Sequence, residues 1–269
     1  VNKEPAMKIR PIAAMVLSLA SSAQAQHAGD IGLAVAAGRI ETREISASGY
    51  GAPRRVFGGA FGDTGVPWFT SNPGFDAATG TFATGSRIGF RLAGPVLAWD
   101  GSGFVPTSPA GPLAGERLQL KFLTLTTTSG DGPVEGFTLA VQPDGGWHRH
   151  LSMTLLAAPG AAAPDAGVYL VQLELTSTDP SVAASEPAWI VLDGGAEPAD
   201  FAAAFAHAES AVEGPGCGAD LNGDDTVDGL DLGALLGAWG AAGIADLNRD
   251  GTVDGVDLGV LLGSWGACP

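Results

Sequence analysis

Tyr169-Leu-Val-Gln-Leu-Glu-Leu175 places an apolar side chain at every second position, so Tyr169, Val171, Leu173 and Leu175 share one face of an extended strand. The same period recurs at Leu118, Leu120 and Phe122, and again at Phe137, Leu139 and Val141. Further strands are expected at residues 31–35, 40–43, 55–61, 87–92, 147–155 and 189–192, parted by clusters of Gly, Pro, Asp and Ser. About eight to ten strands within residues 26–195 predict a mainly β body, an antiparallel β-sandwich of jelly-roll-like order. Residues 106–115 and 157–167 read as surface loops, because their prolines and glycines break a ladder.

Past the last strand the period changes. Phe201, Phe205, Ala208 and Val212 fall on one face of a helix over residues 198–212, with Asp200 able to cap it. Residues 196–216 are therefore a helix and linker, ending in Glu213-Gly-Pro-Gly216.

Residues 217–269 form a separate small module in which one pattern occurs twice, 26 residues apart. Asp220, Asn222, Asp224, Thr226, Asp228 and Asp231 make the first copy, and Asp246, Asn248, Asp250, Thr252, Asp254 and Asp257 the second. Oxygen ligands at loop positions 1, 3, 5, 7, 9 and 12 are what a hard cation demands, and calcium is the expected ion at both. Gly251 permits the sharp turn at position 6, where Asp225 is the poorer occupant. Val227 and Val253 are expected to pair the two loops through a short β-bridge. Leu232, Leu235, Leu236 and Trp239, then Leu258, Leu261, Leu262 and Trp265, stand at i, i+3, i+4 and i+7, one helical face each.

These loops resemble the type I dockerin, a duplicated calcium loop-helix. The resemblance implies an EF-hand-like helical module folded by two calcium ions, with a cohesin-like or cell-surface protein as docking partner. At positions 10 and 11 this chain has Gly229-Leu230 and Gly255-Val256, small and apolar, where cohesin-reading members often carry hydroxyl or charged residues.

The formal charge of −16 comes largely from these aspartates, which argues for cation binding and against a nucleic-acid surface. Met7-Lys8-Ile-Arg10, the apolar run 12–20 and Ala23-Gln24-Ala25 have the three parts of a secretory signal peptide, cleaved after Ala25, with residues 1–6 upstream of the true start. No later segment approaches the ~20 apolar residues of a membrane helix. An oxidising compartment favours pairing Cys217 with Cys268 over two free thiols, a clasp of about 4 kcal/mol in the chain-entropy model.

Of four histidines, two are His148 and His150, whose i, i+2 spacing puts both on one face of the strand expected at 147–155, beside Ser152 and Thr154. Such a pair can ligate zinc or copper, with His27 or Asp30 completing the site. Solvated surface histidines are the competing account. His207 is expected as a surface residue of the helix. Trp68, Trp99, Trp147 and Trp189 serve either core packing or a glycan platform. Glu116, Glu135, Glu174, Asp100 and Asp131 are scattered singly, no nucleophile elbow or metalloprotease helix appears, and the expectation is a non-enzymatic protein, with a diverged carbohydrate-active body as the alternative.

The stretches 27–31, Asn72-Pro73-Gly74-Phe75, Trp99-Asp100-Gly101, His148-Arg149-His150, 167–170 and 185–189 resemble a family of secreted bacterial proteins under zinc-uptake-repressor control. That resemblance implies a role in zinc handling carried by His27, His148 and His150.

Overall fold

The computed structural model describes residues 29–107, 115–213, 218–222, 224, 226–241, 243–248 and 252–268. The chain is mainly β, and three sheets build the body. The first runs Trp147–Arg149, Phe75–Ala77, Ile31–Ala36, Arg39–Ser46, Gly49–Pro53. The second runs Leu125–Thr128, Arg117–Phe122, Ser152–Leu156, Phe69–Thr70. The third and largest runs Val134–Ala140, Arg87–Leu92, Gly167–Ser177, Ala188–Gly194, Val56–Ala60, with a hairpin of Leu97–Trp99 and Phe104–Pro106 joined to Gly167–Ser177.

Two pairings are parallel, Ile31–Ala36 with Phe75–Ala77 and Ala188–Gly194 with Val56–Ala60. The expected purely antiparallel body is corrected there. Strand direction follows from the path of the connections, which alternation within one strand does not encode.

All three sheets contribute to one apolar core. Gly167–Ser177 is covered on both faces: Tyr169, Val171, Leu173 and Leu175 enter that core, while Val168 and Leu170 enter a second cluster under helix α1, Pro198–Glu213. Helix α1 buries Ala204, Phe205 and Ala208, with Phe201 and Val212 partly covered, on the face its period predicts. Asp200 stands in the first turn instead of capping it, where its charge meets the positive end of the helix dipole.

The single strand expected at 147–155 is two strands in two sheets. Trp147–Arg149 pairs with Phe75–Ala77, whereas Ser152–Leu156 pairs with Arg117–Phe122, so the chain changes sheet at His150 and Leu151. Ser152 and Thr154 consequently lie opposite Lys121 and Gln119, away from the histidines. The period hides the crossing because Trp147, Leu151, Met153 and Leu155 are buried on both sides of it.

In the C-terminal region, helices α2 (Gly229–Gly237) and α3 (Gly255–Gly263) surround a core of three equivalent pairs: Ala219 and Ala245, Val227 and Val253, Leu235 and Leu261. The two valines are fully buried but do not bridge each other. Thr226–Val227 pairs with Gly266–Ala267, and Val253 exchanges hydrogen bonds with Gly240 and Ala241, so each loop binds the chain that follows the other repeat's helix. The expected four-residue helical faces are also cut short. Each helix stops two residues before its tryptophan, leaving Leu236, Trp239, Leu262 and Trp265 about half exposed. Among the described residues no helix is long and apolar enough to cross a membrane.

Candidate metal centre

The parallel register aligns Ile31 with Phe75, and the antiparallel register aligns Phe75 with Arg149. Ile31, Leu33, Phe75, Ala77 and Trp147 point into the core, so the alternate residues form rows on the opposite face. One row is Gly32, Asp76, His148. Just beyond the strand ends, the next is Asp30, Gly74, His150.

The middle position of that second row decides the geometry. Gly74 hydrogen-bonds on both edges of its peptide, donating to Asp30 Oδ1 (2.8 Å) and accepting from Ile31 N (2.8 Å). A Cβ at Gly74 would lie 2.4 Å from the His150 ring, so only glycine lets that imidazole lie across the strand toward Asp30. Asp30, His148 and His150 then present one ligand atom each, all within 4.8 Å of one another, the only such group of His, Cys, Asp or Glu among the described residues. The imidazole rings are 5.0 Å apart. Asp30 is 6% exposed, whereas each imidazole keeps about a third of its side-chain surface in solvent.

Hydrogen bonds assign the nitrogens. His150 Nδ1 is 2.9 Å from the Ser71 carbonyl, which can only accept, so Nδ1 carries hydrogen and Nε2 the lone pair. That Nε2 lies 3.5 Å from Asp30 Oδ2. A proton or a metal ion between them would satisfy both acceptors. His148 Nδ1 is 3.2 Å from Asp76 Oδ1, which likewise leaves Nε2 as its lone-pair nitrogen. Asp76 Oδ2 accepts the Tyr50 hydroxyl. Burial, then the hydrogen bond and charge of Asp76, hold the Tyr50 phenol well above its ordinary pKa. Arg149, between the histidines in sequence, turns its guanidinium to the Ala140 and His148 carbonyls and over the Trp147 and Phe122 rings.

The structure therefore joins Asp30 to His148 and His150, as sequence reasoning allowed, while His27 lies outside the described residues. Asp76, Tyr50, Ser71 and Gly74 were not foreseen as neighbours of the pair. Period two places Asp76 opposite Phe75 and Ala77, but nothing local says which strand it borders.

In the C-terminal loops the expected ligands bond to backbone. Asp231 is fully buried; its Oδ1 accepts from Leu221 N and Asn222 N and its Oδ2 from Asp228 N. Burial opposes the charge on Asp231, yet these N–H groups outweigh it and hold the carboxyl below its ordinary pKa. Asp257 repeats the arrangement with Asn248 N and Asp254 N. Asp228 and Asp254 cap α2 and α3, each in a capping box with the aspartate three residues on. Asp224 N donates to Asp220 Oδ1 and Asn222 Oδ1, and Thr226 N to Asp224 Oδ1. Asp246 is buried and Thr252 exposed, while Asp225, Asp250 and Gly251 lie outside the described residues. The donor set of the first loop is oxygen-rich and free of basic side chains, which suits a hard cation. No cysteine among the described residues is free, Cys268 packs against this module's core, and Cys217 lies outside them.

Of the tryptophans, Trp147 is buried, Trp68 packs on the main core, and Trp99 and Trp189 pack under α1. His207 is exposed as expected, with its ring 5.2 Å from Trp99 and 6.0 Å from Phe104. Among the scattered acids Glu174 pairs with Arg91 and Asp131 with Arg117. Glu116 is buried, 1% exposed. No protein-family model matches this chain, and no curated protein matches it.

Proposed function

We propose that this is an exported, non-enzymatic metal-handling protein, whose body binds zinc through Asp30, His148 and His150. The observation that carries it is the pair of acceptors, His150 Nε2 and Asp30 Oδ2, facing each other at 3.5 Å beside a second imidazole. Two imidazoles and one carboxylate are a zinc set, and zinc tolerates a fourth ligand from solvent or from His27. Copper shares the imidazole preference and is the competing ion. Export rests on the leader-like residues 7–25, and the zinc role agrees with the resemblance carried by Asn72 to Phe75 and His148 to His150. The body is read as a β-sandwich, since its sheets share one core.

Zinc calorimetry on the calcium-supplemented chain tests this beside a His148→Ala/His150→Ala variant. Submicromolar, one-to-one binding lost in the variant supports it. No heat from the parent protein would sink it and leave two surface histidines. The same titration with copper ranks the ions.

We further propose that the C-terminal module binds calcium in both loops and serves docking or surface attachment. Its equivalent halves and twin capping boxes favour this, as does the apolar surface made by Leu230, Leu236, Trp239, Val256, Leu262 and Trp265. Cys217 paired with Cys268 would clasp its ends. Far-ultraviolet circular dichroism with the disulfide reduced checks the ion: a helical signal unchanged by a calcium chelator rules out folding coupled to calcium.

A further inference from the structure

We propose that Asp76 and Tyr50 are positioning residues of the metal centre: together they set which nitrogen of His148 faces the ion. The role rests on the metal reading above, and it assigns a task to two residues that offer the ion no ligand.

Register puts Asp76 beside His148 on one side and beside Gly32 on the other. Both of its oxygens are engaged, Oδ1 with His148 Nδ1 at 3.2 Å and Oδ2 with the Tyr50 hydroxyl at 2.5 Å. The first contact is at the long end for an N–H···O bond, so on its own it would hold the imidazole loosely. A carboxylate tied at one oxygen only can rotate, turning away from His148 or toward the ion. The Tyr50 hydroxyl fixes its plane and so gives the long bond a direction.

Tyr50 reaches the carboxylate from Gly49–Pro53, the edge strand, across the bare α-carbon of Gly32. A Cβ at Gly32 would lie 2.9 Å from Tyr50 Cδ1. Each site row thus holds a glycine over which a ring passes toward a carboxylate, Gly74 in the middle of one row and Gly32 at the end of the other. Tyr50 is 41% exposed, so packing alone accounts poorly for its fixed course. The two imidazoles are also held differently. His150 Nδ1 donates to a backbone carbonyl, a neutral and immobile partner, whereas His148 Nδ1 donates to a charged side chain. A carboxylate behind an imidazole raises its basicity as a ligand, so His148 is the ligand whose strength this network tunes.

The test uses the full calcium-supplemented chain with Tyr50→Phe and Asp76→Asn. Tyr50→Phe is close to isosteric on a part-exposed edge strand, so it should fold, and metal-free thermal midpoints check this. Zinc affinity is read by competition with a chromophoric chelator, and the imidazole tautomers by nitrogen-15 NMR of the metal-free protein. Asp76→Asn is expected to weaken zinc ~10–100-fold, and Tyr50→Phe ~10-fold. In both, the ring-nitrogen shifts of His148 should move away from the Nδ1–H tautomer while those of His150 stay. A merely structural role would not move His148 alone. Equal zinc affinity and unchanged His148 shifts in all three proteins would overturn the positioning role and leave the metal centre standing. Zinc uptake absent from the parent protein overturns the metal centre, and the positioning role with it.

Discussion

The body and the C-terminal module gather candidate oxygen and nitrogen ligands in opposite ways. In the body, Asp30 and the two histidines are separated by more than a hundred residues and meet because three strands of one sheet align them. In the module, Asp220 to Asp231 lie within one short stretch of sequence, and no three acids among its described residues converge as the body's triad does. Asp231 and Asp257 instead satisfy backbone N–H groups and hold each loop to its helix. A site on packed sheets is organised before its ion arrives. On the proposed reading the clustered aspartates are organised by the ion, because their charges repel until it neutralises them.

The largest expected effect breaks or keeps that contrast directly. Calcium removal should abolish the helical signal of α2 and α3, while zinc removal leaves the strand signal of the body intact. At zinc a hundredfold above its dissociation constant the body should gain only ~2.7 kcal/mol, a shift of its unfolding midpoint and not a folding transition. Loss of strand signal on zinc removal would erase the distinction.

Next in size is Gly74→Ala. Its Cβ would displace the His150 ring, so zinc affinity should fall ~100-fold, as when a supporting contact of a metal ligand is lost. The calcium response should not change. Chelator competition for zinc and circular dichroism for calcium, on one sample, give both readings; a change in both would couple sites that the comparison separates.

A smaller effect concerns the body alone and needs no ion. Burial, then the charges of Glu116 and Asp165, hold the Tyr169 phenol well above its ordinary pKa, and its hydroxyl donates to the Asp165 carbonyl. A raised folded pKa contributes stability that is full below the unfolded value near 10 and is lost as pH rises toward the folded one. Urea midpoints of the body should therefore decline above about pH 10, and Tyr169→Phe should flatten that decline. An equally steep alkaline limb in the variant would assign it to other groups.

The smallest lies at the turn joining Ile31–Ala36 to Arg39–Ser46, where Ala37 has φ +48° and Gly38 φ +75°. A left-handed backbone is unfavourable for alanine, so Ala37→Gly should raise body stability by about 0.5–1 kcal/mol and leave both ion affinities unchanged. Thermal denaturation resolves a change of that size.

Local chemistry was legible in the sequence wherever the determining residues are neighbours. The alternation in Tyr169 to Leu175 determines a strand, the period of Phe201, Phe205 and Ala208 a helix face, and the repeat of Asp228 to Asp231 at Asp254 to Asp257 two equivalent capped helices. Each depends on contacts within about a dozen residues, where side-chain direction follows from backbone period. Two things were beyond that reach. The change of sheet after His150 left the apolar period undisturbed, because both halves bury the same parity. The company of His148 and His150 depended on a parallel pairing, Ile31 with Phe75, and on the missing side chains of Gly74 and Gly32. Glycine at those positions looks like any turn or strand glycine until the neighbouring strands are in place. The sequence alone supplied the candidate ligands; only the tertiary register decided which of them meet.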